Sequence, residues 1–312
     1  MTLFELPERR ILRAAGSERV EFLHGQLSSD VKSLTPGGGQ ASLLLSAQGR
    51  VEAIVALYDA GETIEVACDA REVEAMRERL ERFLIADDVE LVADDAPAAT
   101  FALYGPDASA ALEGVSGLSA LQLGHGWQRS ETTIGGVPVS VRARGELRHP
   151  FLEITTLGLA DALRRLLVDA AGEPAGDDAL ARAHVESGVA RYGVDVDENR
   201  VALEARLQWA IHFAKGCYVG QEVVERMVSR GRLNRRLALL ASDRPLTVGT
   251  QIDEGAEVDV VTSSVASPEH GALALAYVDM VRTNPGTSLS AGGAPARVLE
   301  WPMREVYAGR KV

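Results

Sequence analysis

Residues 43–83, LLLSAQGRVEAIVALYDAGETIEVACDAREVEAMRERLERF, show how this chain alternates strands and helices. Two strand-like runs flank a turn at Gln48 and Gly49, and a third run at 63–69 partly alternates apolar with polar residues. Residues 71–84 then repeat apolar side chains at spacings of three and four, which predicts an amphipathic helix. The stretch therefore predicts a hairpin, a strand and a helix in succession.

The same order of elements occurs a second time further along the chain. Before the hairpin, a strand at 9–16 leads into a helix that we expect Ser17 to cap. After it, another strand leads into a helix that we expect Asp107 to cap, followed by a hairpin, a strand and a helix at 159–171. Two strand–helix–strand–strand–helix–strand units predict split βαβ, ferredoxin-like halves.

From about residue 236 onward, short strand-like runs are separated by Gly, Pro, Ser and Asn, which favours a small β-barrel or sandwich. We therefore expect an α+β protein with two domains. Residues 1–235 would hold two ferredoxin-like subdomains, and residues 236–312 would form the carboxy-terminal β-barrel.

Composition excludes several classes of protein. The chain carries 45 acidic against 32 basic residues, a net charge of -13, which disfavours bulk binding to nucleic acid because phosphate affinity comes from Lys and Arg. The two cysteines exclude a disulfide scaffold and a four-cysteine cluster within one chain, and we expect no metal site. The chain has no apolar run long enough for a membrane span, and its start lacks the apolar core of a signal peptide. We therefore expect a cytoplasmic protein without a membrane partner.

The segment Lys215–Glu222, KGCYVGQE, has the densest set of chemically active residue types. Its glycines, Gly216 and Gly220, permit backbone conformations closed to other residues, and a helical pattern begins at Gln221. Cys217 would then lie just ahead of a helix, close to an ammonium group, and both features favour a thiolate. The alternative is a buried, inert cysteine, which is the common fate of a free thiol.

An ordinary structural role can explain each of three other candidate residues. Cys68 lies in an apolar run and is predicted to belong to the core. Glu186 could accept two parallel hydrogen bonds from the amidine-like edge of a pterin or guanine ring, or could be an exposed helix carboxylate. Tyr192 could line a ligand pocket or simply pack.

Arginines accumulate after the motif, in contrast to the acidic chain as a whole. They are Arg226, Arg230, Arg232, Arg235 and Arg236. Such a group suits an anionic ligand tail or RNA phosphates. The alternative is a solvated helix end, where cations are favoured.

KGCYVGQE, with ESGVARYGVDV (186–196) upstream and RGRLNRRL (230–237) downstream, resembles the signature of the YgfZ family, folate-binding relatives of the glycine cleavage T protein. FLHGQLSSDV (22–31) is similar to the amino-terminal helix motif of that family. The resemblance implies a T protein-like fold with ferredoxin-like units around a central folate cavity, plus the barrel. It also implies tetrahydrofolate as cofactor and a role supporting iron–sulfur cluster assembly or repair and tRNA-modifying enzymes. Partners would be iron–sulfur enzymes or assembly proteins, with weak tRNA contact.

The resemblance also implies roles for individual residues. Cys217 and Lys215 would be catalytic. Glu186 matches the pterin-binding carboxylate of an Arg-x-Glu-x-Gly motif whose arginine is His184 here. The folate-binding residues would be Glu186, Tyr192, Gly216, Tyr218, Gly220, Gln221, Glu222 and Arg230.

The glycine cleavage T protein itself offers a contrast. Its aminomethyl transfer relies on an acidic residue in a hairpin run similar to Gly-Gly-Val-Val-Asp-Asp. In the matching stretch 49–54, Ala53 and Ile54 stand where the two aspartates would fall, and Glu52 should point to the opposite face from Ala53. We therefore expect no ordinary aminomethyltransferase activity. Folate-dependent aminomethyl transfer stays the alternative function, and an RNA-contacting module using the arginines is a third.

Overall fold

The structure is a computed structural model that describes residues 1–7, 9–93, 98–118, 126–230, 233–253 and 259–303. The elements in chain order are β1 (Thr2–Glu5), β2 (Arg9–Ala15), α1 (Arg19–Gln26), β3 (Gly39–Leu45), β4 (Val51–Asp59), β5 (Ile64–Asp69), α2 (Ala70–Glu81), β6 (Glu90–Ala93), β7 (Ala98–Tyr104), α3 (Ala108–Ser116), β8 (Gln128–Ile134), β9 (Val137–Arg144), β10 (Phe151–Leu157), α4 (Ala160–Ala171), α5 (Asp177–Ser187), α6 (Gln221–Arg230), β11 (Arg235–Ser242), β12 (Val261–Ser267), β13 (Gly271–Asp279), β14 (Ser288–Ala291) and β15 (Ala294–Val298).

The first sheet has the strand order β3-β4-β5-β2-β6. The part β4-β5-β2-β6 is the order that the split βαβ pattern predicts, and β3 extends it at one edge. Leu12, Leu57 and Val66 are fully buried on one face, in a core that also takes in Leu23 of α1 and Leu80 of α2. The helices therefore cover one face of this sheet, because their apolar stripes pack on it.

The second sheet has the strand order β1-β7-β10-β9-β8. A ferredoxin-like unit has four strands, and the fourth strand of this unit is β1, from the amino-terminal end of the chain. β1 pairs antiparallel with β7, with Thr2 opposite Tyr104 and Glu5 opposite Phe101. The sequence pattern predicted a strand after the last helix of this half instead. β1 takes the position because Leu3 and Phe4 are apolar enough to be almost fully buried there.

The third sheet, with the order β12-β13-β11-β15-β14, does not confirm the predicted barrel. No continuous ladder joins its edge strands β12 and β14 in the part of the chain that the structure describes. Single-residue bridges, Gln251 with Val260 and Ile252 with Ala291, lie between the two edges instead. Residues 254–258, in the same connection, lie outside the described residues.

Packing divides the chain into two units, residues 1–44 with 53–176 and residues 45–52 with 177–312. The tip of the β3–β4 hairpin thus belongs to the second unit. The domain boundary expected between residues 235 and 236 stays a prediction. Within the described residues, every helix is too short or too polar to cross a lipid bilayer.

Neither predicted residue, Ser17 nor Asp107, makes the expected capping hydrogen bond at the start of its helix. Glu18, not Ser17, directly precedes α1, and the Ser17 hydroxyl donates to Asp88 Oδ2 at 2.6 Å. Asp107 does precede α3, but its side chain makes no capping hydrogen bond. Both preceding residues have ψ near zero rather than the extended backbone that aims a cap side chain at the helix.

Candidate functional site

The segment Lys215–Glu222 forms the loop that leads into α6. Cys217 is exposed in this loop, and the helix begins at Gln221, as the sequence predicted. The buried, inert alternative for Cys217 is therefore excluded, although the reactivity of its thiol stays a prediction. Cys68 is buried in the core of the first unit, as expected.

Two glycines bring the motif and the hairpin tip into backbone contact within the second unit. Gly220 has φ +86°, and a Cβ added there would lie 2.6 Å from the Ser46 carbonyl oxygen. Gly49 has φ +70°, and a Cβ there would lie 3.0 Å from the side chain of Val223 in α6. Gly216 also has a positive φ, +102°, but faces open space. The approach at Gly220 therefore requires glycine on both steric and conformational grounds.

Lys215 and Tyr218 contact each other inside the loop. The Lys215 ammonium lies 5.0 Å from the centroid of the Tyr218 ring, within range of a cation–π interaction. The Tyr218 hydroxyl is buried and has no hydrogen-bond partner among the residues described. Burial raises the pKa of this phenol, and the charge of Glu225 raises it further. Tyr218 therefore stays neutral near pH 7 and holds the loop by packing.

The last motif residues lie on α6. Gln221 is half-buried, whereas Glu222 is exposed and its carboxylate pairs with Arg226 one turn along the helix. Arg230 ends the helix, and its side chain lies outside the described part of the structure. Exposure and an i,i+4 ion pair are typical of a solvated helix face, so a ligand contact for Glu222 stays a prediction.

Glu186 lies on α5, half-buried, and faces the third sheet. Its Oε1 accepts a hydrogen bond of 2.8 Å from the Ser267 hydroxyl of β12. Among the described residues no hydrogen bond or ion pair joins Glu186 to the Lys215–Glu222 segment. Tyr192 follows α5 in a turn, where it forms a single bridge with Val196. The structure therefore orients the Glu186 carboxylate without connecting it directly to the motif.

The hairpin strand β4 carries no carboxylate at the two positions where the T protein has aspartates. Val51 and Ala53 are buried, whereas Glu52 and Ile54 are partly exposed, so burial alternates along the strand. Glu52 therefore lies on the opposite face from Ala53, as the sequence predicted.

The arginines after the motif do not form one solvated surface. Arg226 is exposed on α6, but Arg236 is only 8% exposed on β11. The Arg235 side chain is 23% exposed, and Arg232 lies outside the described residues. Among the arginines of this group whose side chains the structure describes, Arg226 on α6 is the exposed one.

A cavity of about 370 Å³ lies in the first unit, and its lining residues were not among the predicted site residues. It lies against β2, β5, β8, β9 and β10, on sheet faces that carry both apolar and charged side chains. Its lining residues are Ile11, Arg13, Ala67, Arg129, Glu131, Thr132, Pro138, Val139, Ser140, Arg142, Glu153, Thr155, Thr156 and Leu157. Apolar walls with a few convergent polar groups are typical of small-molecule sites.

Glu65, fully buried on β5, organises the arginines of this cavity. Its Oε2 accepts from Arg142 Nε and Nη2 at 2.9 and 2.7 Å and from Arg129 Nε at 3.0 Å. Its Oε1 lies 3.6 Å from Arg13 Nη2. Burial alone would raise the pKa of Glu65, but Arg142 and Arg129 outweigh it and hold that pKa below its usual value. The carboxylate is therefore ionised and fixes the guanidinium groups.

A charged residue in a strand is the only sequence feature that could have indicated this site. Glu65 stands between Ile64 and Val66, and such alternation normally predicts a solvent-facing side chain. Its partners lie 64 and 77 positions away, beyond any local pattern.

No group of three or more His, Cys, Asp or Glu side chains able to hold a metal ion occurs in the described ranges.

Comparisons with known proteins agree on one family. The family model described as the GCVT N-terminal domain matches residues 1–215. The chain is 27% identical to an aminomethyltransferase of Synechococcus sp. (strain RCC307), over 96% of this chain and 86% of that protein. It is 30% identical to an aminomethyltransferase of Rubrobacter xylanophilus, over 88% and 75%. It is 28% identical to the mitochondrial aminomethyltransferase of Gallus gallus, over 93% and 77%.

Among solved structures, the glycine cleavage system aminomethyltransferase T of Bartonella henselae superposes with a TM-score of 0.85. The two chains are 23% identical, and the match covers 98% of this chain and 86% of the other. A likeness at this identity establishes a shared fold.

Proposed function

Because the chain belongs to the GcvT-like aminomethyltransferase family, we propose that it binds tetrahydrofolate and acts in the one-carbon chemistry of that molecule. The cavity of the first unit is the observation that carries the proposal. A folate needs apolar walls for its benzoyl ring and cations for its glutamate carboxylates, and the cavity offers both.

Within that cavity, Arg13 is the guanidinium best placed for a ligand carboxylate. Its side chain is 35% exposed, compared with 14% for Arg129 and 3% for Arg142, so a ligand carboxylate can reach it most easily. Ile11 and Val139 supply apolar wall nearby. These residues support binding of a benzoyl-glutamate group.

In the second unit, Glu186 is a separate candidate that we propose for contact with a pterin ring. The Ser267 hydroxyl fixes one of its oxygens, which leaves the other oriented and able to accept from a pterin N–H. The residue is half-buried, so water competes less with such a bond than on an open helix face.

Separate variants test the two contacts. Tetrahydrofolate should raise the Tm of the wild type, since a ligand that binds only the folded state stabilises it. Arg13→Gln should reduce this rise if the cavity of the first unit binds the folate, and Glu186→Gln should reduce it if the second unit does. Arg164→Gln, on the surface helix α4, is the matched control and should keep it. An undiminished rise in either test variant would remove that residue from the contact.

Aminomethyl transfer is the reaction that the names of the relatives support. Bound tetrahydrofolate would supply the nitrogen atoms that accept the one-carbon unit. Within the hairpin stretch 49–54, the one carboxylate available to position or deprotonate a reacting group is Glu52. It would have to do so from the opposite face to Ala53.

The exposure of Cys217 favours a second candidate function, support of iron–sulfur enzymes. An accessible thiol can attack a disulfide or bind a metal together with ligands from a partner, whereas a buried one cannot. One cysteine cannot hold a cluster that normally needs four ligands, so this function requires a partner protein.

Two variants distinguish these functions. If the protein transfers aminomethyl groups, Glu52→Gln should abolish methylenetetrahydrofolate formation with glycine cleavage partners, and Cys217→Ser should retain it. If it supports iron–sulfur enzymes, Cys217→Ser should lower their activity in cells and Glu52→Gln should not. No methylenetetrahydrofolate formation by the wild type would contradict the first function, and unchanged activity of the iron–sulfur enzymes in cells that carry Cys217→Ser would contradict the second.

A further inference from the structure

A second concave site lies in the other unit. It is a cleft of about 640 Å³, bordered by the hairpin tip, residues 197–204, α6 and β11. Five of its lining residues are charged: Arg50, Asp197, Arg200, Glu204 and Arg235. Three guanidinium groups against two carboxylates give the cleft a positive excess in a chain of net charge -13.

Glu204 and Arg235 face each other across this cleft without a hydrogen bond. Glu204 Oε1 lies 3.8 Å from Arg235 Nε, and Arg235 Nη1 lies 3.9 Å from Asp259 Oδ1. The side chains of Glu204 and Arg235 are only 18% and 23% exposed. Both charged groups are thus partly exposed at the edge of the cleft, where a ligand can reach them.

The other two arginines are held in place by the protein. Arg50 Nη1 donates to the Asn199 carbonyl oxygen at 2.6 Å, which ties the hairpin tip to the cleft. The Arg200 guanidinium lies 3.9 Å from the centroid of the Tyr277 ring, a cation–π contact that fixes its plane. Positioned guanidinium groups lose little freedom when they bind an anion.

Burial disfavours the ionised form of Glu204. It raises the pKa of this carboxyl even though Arg235, Arg200 and Arg50 attract its charge and the Val201 backbone forms a hydrogen bond with it. A ligand group that donates a hydrogen bond to Glu204 would relieve this cost, while an acceptor on the same ligand would satisfy Arg235.

We propose that this cleft binds a phosphorylated small molecule that carries hydroxyl donors beside the phosphate, the chemistry of a sugar phosphate. A phosphate monoester offers three oxygens to several guanidinium groups, whereas a carboxylate offers two. The adjacent hydroxyl group donates to Glu204. The cleft volume is within the range of about 300–1,000 Å³ that is usual for small-molecule sites.

A nucleic-acid strand fits these residues less well. A continuous phosphate backbone would pass the carboxylates of Asp197 and Glu204, and the net negative charge of the chain opposes it.

Calorimetric titration of the full chain with ribose 5-phosphate tests the proposal. We expect saturable binding, and no saturation with ribose alone. Arg50→Gln and Arg235→Gln should each raise the Kd about tenfold or more, the effect of losing a charged hydrogen bond. Arg77→Gln, an exposed arginine on α2, is the control and should leave the Kd unchanged.

Arg50→Gln keeps the test decisive even if the less exposed Arg235 is needed for folding, because Arg50 is exposed. Absence of saturation with ribose 5-phosphate would overturn the proposal. So would an unchanged Kd in Arg50→Gln, or tighter binding of an RNA oligonucleotide than of ribose 5-phosphate.

Discussion

Glu65 shows how one residue can organise a whole cavity. Its side chain is removed from water, a position that would be unfavourable for an isolated carboxylate. Two arginines from the second sheet donate to one of its oxygens, so the charge is fully compensated. Breaking such a pair leaves the partner guanidinium groups buried and uncompensated.

Glu65→Gln should therefore lower the free energy of unfolding by about 3–5 kcal/mol. Glu131→Gln is the matched control, since Glu131 binds the same Arg129 from the exposed side and is 69% exposed. It should change stability by no more than about 1 kcal/mol. Urea unfolding of both variants measures the difference, and equal losses would contradict the role given to Glu65.

The pKa of Glu204 is shifted in the opposite direction from that of Glu65. Its pKa in the folded protein lies above the usual 4.5, so its protonated form favours folding. The stability it contributes is complete below pH 4.5 and is lost as the pH rises through the raised pKa.

Glu204→Gln should therefore be more stable than the wild type at pH 7, and the two should converge as the pH falls toward 4.5. Urea midpoints measured across this range check the result. A variant less stable than the wild type at pH 7 would show that attraction to Arg235 prevails over burial.

The sequence predicts residues whose environment is local. Cys68 lies in an apolar run and is buried, whereas Cys217 lies among glycines and polar residues and is exposed. Glu65 and Arg235 were not predictable in the same way, because their environment comes from strands distant in sequence.

Among the elements, the contact between the hairpin tip and the start of α6 depends on glycine. Gly220 combines a positive φ with a backbone oxygen at 2.6 Å from the place of a Cβ. The oxygen belongs to Ser46 and cannot move as a flexible side chain could. The chain geometry here explains why glycine is required in the motif, without reference to any ligand.

Gly220→Ala should lower stability by about 2–5 kcal/mol, from backbone strain together with overpacking. Gly216→Ala has a positive φ but open space, so it isolates the strain alone and should cost about 1–2 kcal/mol. Thermal unfolding of the two variants gives the comparison. A Gly220→Ala protein as stable as Gly216→Ala would mean that the close approach does not exist.

The order of helices and strands along the chain could be predicted from the sequence, but the pairing of the strands could not. The helix expected at 71–84 is observed as Ala70–Glu81, because its apolar spacing is strong. β1 pairs with β7, roughly a hundred positions away, and no periodicity in residues 2–5 predicts that partner. The caps expected at Ser17 and Asp107 failed because residue type alone does not fix backbone angles.

At the scale of the whole molecule, the sequence pattern predicted repeated α+β halves followed by a strand-rich end, and the sheets agree with that order. Closure of the last sheet could not be predicted, since it depends on pairing between edge strands rather than on strand content. The two units contain separate concave sites, one with apolar walls and one dominated by charge.

Binding of tetrahydrofolate underlies the proposed function, and calorimetric titration of the wild-type chain with tetrahydrofolate measures it. We expect saturable heat, weakened in Arg13→Gln if the cavity of the first unit binds the folate and in Glu186→Gln if the second unit does. No saturable heat with the folded wild-type protein would contradict the proposed function.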